Sequence, residues 1–92
     1  MNLQHLRYFL AVSRSNSFTQ AARQLHVTQP TVSGGVAELE KELGVRLFHR
    51  AGRKVELTLE GRTLSNYALR IEDLGDEAQG RGSAGGPIAG DS

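Results

Sequence analysis

A chain of 92 residues with no cysteine forms one small domain held by neither disulfides nor a thiolate zinc site. No apolar run approaches the roughly 20 residues that span a bilayer, and Met1-Asn2-Leu3-Gln4-His5 lacks the basic-then-apolar layout of a signal peptide, so a soluble cytoplasmic protein without membrane association is expected. The formal net charge of +1 is unevenly placed: residues 1–63 hold nine Lys/Arg against five Glu (net +4) and residues 64–92 hold two Arg against five acids (net −3), the first part fitting a nucleic-acid footprint and the second a solvated scaffold.

The first helix is expected over Leu3 to Ser15, with Leu3, Leu6, Phe9, Leu10 and Val12 on its apolar side. Ser17 followed by Gln20 has capping-box spacing and opens a second helix. Phe18, Ala21, Ala22 and Leu25 make one face of that helix. Thr28 offers the next N-cap, and Pro30 falls in the first turn, where a missing N–H costs nothing. Val32, Val36, Leu39 and Leu43 continue at helical spacing until Gly44 supplies a left-handed stop. Three helices packed through these faces form a small core, and the second and third make a helix-turn-helix.

Away from the core, the third helix presents Pro30, Gly34, Ala37 and Lys41, flanked by Thr31 and Ser33, with Gly35 nearer the flank. A small and polar stripe suits a helix that enters the major groove, and equally suits a solvated face without a partner. Beyond Gly44, Leu47-Phe48-His49-Arg50 and Val55-Glu56-Leu57 flank a turn at Gly52 and read as a hairpin with a basic tip of Arg50, Arg53 and Lys54. Such a tip fits phosphate contacts, or is an ordinary soluble turn.

Thr58 is the N-cap of a long helix, with Glu60 at its positive end. Leu64, Tyr67, Ala68, Ile71, Leu74 and Ala78 form its apolar stripe outside an already complete core. Another surface must cover that stripe. The same helix of a second subunit in a symmetric pair is the expected one, and folding back on its own domain is the alternative. Residues 80–92 have flexible linker composition and are expected to be disordered.

In this order and spacing, Leu6-Arg7-Tyr8-Phe9, Ser17-Phe18-Thr19-Gln20-Ala21-Ala22, Leu25-His26-Val27-Thr28-Gln29-Pro30, Val32-Ser33, Leu39-Glu40, Leu43-Gly44-Val45, Leu47-Phe48-His49-Arg50 and Leu57-Thr58 resemble the LysR-type transcriptional regulators. The resemblance runs from about Leu3 to Ala78. It implies a mostly α winged helix-turn-helix, with a three-helix core and a short β-hairpin wing over 1–58, and a dimerisation linker helix over 59–79. Its implied function is sequence-specific binding of double-stranded DNA at interrupted inverted repeats near promoters. A homodimer through the linker helix is implied, with a tetramer in the full-length protein. Gly86-Pro87-Ile88-Ala89-Gly90 is similar to the segment that leads into the family's effector-binding domain, so 80–92 is expected to lead toward such a domain, where a small-molecule inducer would bind.

Carried over by position, the resemblance makes Gln29, Pro30, Thr31 and Ser33 the candidates for base-edge and groove contacts. The Gln29 amide would pair with adenine, while Pro30 and the Thr31 methyl would touch a thymine methyl. Thr28, Ser33, Arg50, Arg53 and Lys54 would reach phosphates, and Thr19 and Gln20 would touch the backbone. Gly34 lies at the centre of the groove-facing stripe, where family members commonly carry a larger polar or basic residue, often with another polar residue at position 35. Both side chains are absent here, which puts direct base readout at those positions in question.

Two other classes stand beside this reading. No Ser/His/Asp arrangement, paired carboxylates, phosphate-binding loop or metal-ligand cluster is visible, and His26 and His49 lack partners at ligand spacing, so neither an enzyme nor a cofactor is expected. A winged helix used only for protein–protein contact would bind DNA weakly and without salt dependence.

Overall fold

The computed structural model describes residues 1–79, with side-chain surroundings for residues 1–70. The element order is α1 (Leu3–Ser15), α2 (Phe18–Leu25), α3 (Gln29–Leu43), β1 (Phe48–Ala51), β2 (Lys54–Leu57) and α4 (Leu59–Gln79). The fold is mostly helical with one two-stranded hairpin, in the arrangement of a winged helix-turn-helix.

Each helix boundary has a local cause. Asn2 Oδ1 accepts the Gln4 N–H at 2.7 Å, and Asn16 ends α1 in the left-handed region, its N–H donating to Val12 O at 2.7 Å. Ser17 caps α2 by accepting the Gln20 N–H at 3.1 Å, the hydroxyl half of the expected box. His26 closes α2 with φ of 59°. Thr28 Oγ1 accepts the Thr31 N–H at 3.3 Å, and Gly44, with φ of 71°, stops α3.

The core is built from Leu6, Tyr8, Phe9, Leu10, Ala11 and Val12 of α1, Ala21 and Ala22 of α2, and Val32, Val36 and Leu39 of α3. Two residues expected to join it do not: Leu3 is 58% exposed and Leu43 is 40% exposed. Both sit in terminal turns of their helices. Gly35, by contrast, is buried. A Cβ there would overlap Tyr8 Cδ2 and stand 3.1 Å from Tyr8 Cε2 and 3.2 Å from His5 Cδ2, so the glycine lets α1 and α3 close on each other.

β1 and β2 pair antiparallel in the register Phe48↔Leu57, His49↔Glu56, Arg50↔Val55 and Ala51↔Lys54. Gly52 has φ of 67° while Arg53 is not in the left-handed region, the sign pattern of a type II′ turn. Phe48 anchors the hairpin, its ring 5.4 Å from that of Phe9 and 5.8 Å from that of Phe18. Val55 is buried with it.

α4 begins against the root of this hairpin. Thr58 Oγ1 accepts the Gly61 N–H at 3.0 Å and donates to Arg46 O at 2.6 Å. A Cβ on Gly61 would overlap the backbone carbonyl oxygen of Leu47. Ala68 is fully buried and Leu64 is packed against the core. The expectation that α4 lies outside a finished core is therefore corrected: its first half helps to complete that core, and Ala68 is spent on its own domain rather than left for a dimer contact. Tyr67, on the flank of that inward face, is 61% exposed. The side chains of Ile71 and Leu74, and the whole of the 80–92 tail, lie outside the described residues.

Candidate nucleic-acid interface

The outward side of α3 carries the residues singled out in the sequence. Thr28, Gln29, Pro30, Thr31, Gly34, Ala37 and Lys41 are exposed, and Ser33 is half-buried. Core and surface separate along this helix because Val32, Gly35, Val36 and Leu39 fall on the inner arc and leave positions 30, 34, 37 and 41 outside. Nothing lies within 4 Å of the place a Gly34 Cβ would take, so the glycine there answers no packing demand within the chain.

Hydrogen bonds already commit part of this surface. Thr28 Oγ1 and Thr31 Oγ1 stand 2.7 Å apart, so one hydroxyl proton is shared between them and the other remains to be given. Ser33 Oγ donates to Pro30 O at 3.3 Å, and its hydroxyl must rotate before it can donate to a phosphate. Thr19 and Gln20 are exposed in the first turn of α2.

The hairpin stands beside α3 across a groove of about 150 Å³ that Ser33, Ala37, Glu40, Arg46, His49 and Arg50 help to line. Arg50 and Ser33 therefore meet on one surface. Arg53 and Lys54 are exposed at and just after the turn. The candidate residues fall into three groups: the α3 stripe, the hairpin cations, and the start of α2. Of the first two, the fold brings Ser33 and Arg50 to the walls of one groove, while Arg53 and Lys54 lie away from it.

Several residues that build this surface were not singled out from the sequence. Glu40 Oε2 accepts the Leu47 N–H at 2.7 Å and lies 3.5 Å from Arg46 Nε, joining the end of α3 to the root of the hairpin. Its spacing of seven residues from Leu47 carries no local signature. Arg46 entered only the charge count, yet it lines the groove with its guanidinium mostly exposed. His49 Nε2 lies 3.9 Å from Glu56 Oε1, an ion pair only when the imidazole is protonated. Among the described residues no polar or charged side chain is buried and no group of three or more His, Cys, Asp or Glu is placed to hold a metal ion. No helix among them is long and apolar enough to cross a membrane.

Comparison with known proteins agrees with this geometry. A family model described as the bacterial regulatory helix-turn-helix protein, lysR family, matches residues 3–62. An uncharacterised HTH-type transcriptional regulator of Azotobacter vinelandii is 51% identical over 71 residues, covering 77% of this chain and 49% of that protein. The HTH-type transcriptional regulator BenM of Acinetobacter baylyi is 45% identical over 71 residues, covering 77% of this chain and 23% of BenM. The chain thus spans half or less of the length of these relatives. Among solved structures, the BenM DNA-binding domain in complex with benA site 1 DNA superposes with a TM-score of 0.80 at 42% identity, covering 85% of this chain and 88% of that one. The CbnR DNA-binding domain in its DNA complex gives 0.79 at 37% identity, covering 85% and 90%. With a family model matched over residues 3–62 and a fold that superposes over 85% of its length on a solved DNA-binding domain, this chain belongs to the lysR family of bacterial helix-turn-helix regulatory proteins.

Proposed function

We propose that this chain is the DNA-binding part of a transcriptional regulator, with α3 lying in the major groove and the hairpin resting on the adjacent backbone. The observation that carries the reading is the exposed outward side of α3, with Ser33 and Arg50 on one groove and Arg53 and Lys54 exposed at the hairpin turn, on a fold that superposes on the BenM DNA-binding domain in its DNA complex. Gln29, Pro30, Thr31 and Ser33 read base edges; Thr28, Arg50, Arg53 and Lys54 hold phosphates; Thr19 and Gln20 touch the backbone at the start of α2. The family is one of DNA-binding regulators rather than enzymes.

The site is an interrupted inverted repeat, bound by a homodimer joined through α4. The exposed Tyr67, 61% accessible, supports an apolar contact outside the domain's own core. Tetramer formation and inducer binding belong to a further effector-binding domain in the full-length protein, and the regulator works in the cytoplasm.

A salt titration tests the central claim. With about four to six phosphates neutralised per subunit, log K falls against log salt with a slope of roughly −4 to −5 per subunit. Arg53→Ala or Lys54→Ala weakens all sequences about equally and removes about one from the slope. Relaxed sequence preference with an unchanged slope would assign base reading to the hairpin instead. Weak binding without salt dependence would mark a protein–protein module.

A further inference from the structure

We infer that Asn16 is a positioning residue for the hairpin: it holds β2 at the angle at which Arg53 and Lys54 meet the DNA backbone, an inference that rests on the DNA-binding reading above. Asn16 lies between α1 and α2 with φ of 56° and ψ of 32°. Its N–H closes α1 on Val12 O at 2.7 Å. Its carbonyl oxygen accepts the Val55 N–H at 3.2 Å, and its Nδ2 donates to Val55 O at 3.0 Å. Both backbone polar groups of Val55 are taken by this one residue.

The register explains why those groups are available. Residues opposite one another on antiparallel strands alternate between pairs that exchange hydrogen bonds and pairs that do not. In the Arg50↔Val55 pair, the polar groups of Val55 point away from β1, toward Asn16. Asn16 therefore serves as a one-residue third strand along the free edge of β2. A hairpin of two four-residue strands is marginal by itself. Phe48 packs its root, while Arg53 and Lys54 are exposed at its far end. A pivot at the root displaces the far end most, and charge-assisted contacts to phosphate need donor and acceptor within about 3 Å.

The residue type fits the three tasks together. Glycine takes the left-handed conformation but has no side-chain donor, and aspartate tolerates that conformation but turns an acceptor toward the Val55 carbonyl. Alanine lacks the donor and is strained there. The Asn16→Gly variant keeps the α1 cap and the Val55 N–H bond and removes only the Nδ2 contact. Asn16→Asp replaces that contact with repulsion.

The test measures binding of the purified chain to a long mixed-sequence DNA duplex across a potassium chloride series. Asn16→Asp, Asn16→Gly, the Arg53→Ala/Lys54→Ala double variant and their combinations are compared with the parent. Asn16→Asp lowers affinity about tenfold at fixed salt and flattens the slope by up to about two, the share carried by two phosphate contacts. Asn16→Gly shows the same change to a smaller degree. In the Arg53→Ala/Lys54→Ala background either Asn16 substitution has less than about a twofold effect, because the groups it positions are gone. A merely structural role would not produce that dependence on the two cations.

Equal losses in both backgrounds with an unchanged slope would overturn the inference while leaving DNA binding intact. A parent chain that fails to bind the duplex even at low salt would overturn the DNA-binding reading and this inference with it. Should Asn16→Asp fail to fold, Asn16→Gly carries the same comparison. Faster hydrogen exchange at the hairpin amides in Asn16→Gly supports the inference, and unchanged exchange there overturns it.

Discussion

Gly34 and Gly35 are neighbours along α3 with opposite surroundings, and substitution separates them. At Gly34 a methyl group meets open space. Alanine there gains helix propensity worth about 1 kcal/mol. Gly34→Ala should raise the melting temperature by about 4–8 °C and leave operator preference with Gln29, Pro30, Thr31 and Ser33. Thermal melting and operator titration on the one variant check both parts. A more stable protein with binding lost would show instead that the missing side chain lets the helix approach the DNA closely. Gly35→Ala gains the same propensity but drives a Cβ into the buried ring of Tyr8. Overpacking of this kind costs about 1–3 kcal/mol, so the balance falls toward destabilisation. Its melting temperature should drop, and Tyr8→Leu in the same chain should recover part of the loss. Composition and periodicity treat the two glycines alike, since the difference lies in a ring 27 positions earlier in the chain.

The elements themselves were legible because their signals are local. Asn16 is followed at once by Ser17, whose hydroxyl caps α2; Thr28 precedes Pro30; Gly44 ends α3. Each boundary is decided within a few residues by backbone donors and acceptors that water no longer serves. The hairpin was legible from Gly52 and its flanking β-prone runs, with each strand one residue or less from its expected limits. How the hairpin is tied to the helices was not legible. Asn16 reaches Val55 across 39 positions, and Glu40 reaches Leu47 across a turn of irregular chain. Glu40→Ala should leave the N–H of fully buried Leu47 without a partner, a loss of about 1–3 kcal/mol. Chemical denaturation would read it as a lower midpoint with an unchanged slope. If the midpoint stayed put, the carboxylate would be dispensable at that junction.

At the scale of the whole molecule, one helix presents two faces. The apolar stripe of α4 reads as a single seam in the sequence, but Leu64 and Ala68 turn inward and Tyr67 outward. The distinction was hidden because a helical stripe does not say which neighbour covers it, and the covering groups come from α1, far earlier in the chain, as well as from β2. The proposed pairing of two subunits would therefore depend on the outward residues. Tyr67→Asp removes an exposed aromatic surface and places a charge where an apolar contact is proposed. Sedimentation should show monomers, with the fold retained because the side chain faces away from the core. Affinity for an operator with two half-sites should collapse as the second becomes an independent binding event. A variant that stays paired at low concentration would move the interface to another surface.

Thr58 sets the geometry between these two surfaces. Its hydroxyl is engaged on both sides, by Arg46 O and by the Gly61 N–H, while its own N–H donates to Leu47 O at 3.0 Å. Gly61 then brings the first turn of α4 against the Leu47 carbonyl. The joint is a fixed bracket rather than a swivel, so the direction in which α4 leaves the domain is inherited from the hairpin root. In a pair joined along α4, the distance between two reading heads is then measured out in protein and not adjusted by the DNA. Such a pair discriminates against operators whose halves are a base pair too near or too far, because accommodating them means bending the duplex or breaking the bracket. In the proposed pair, discrimination by spacing would rest on a threonine and a glycine at the hairpin root.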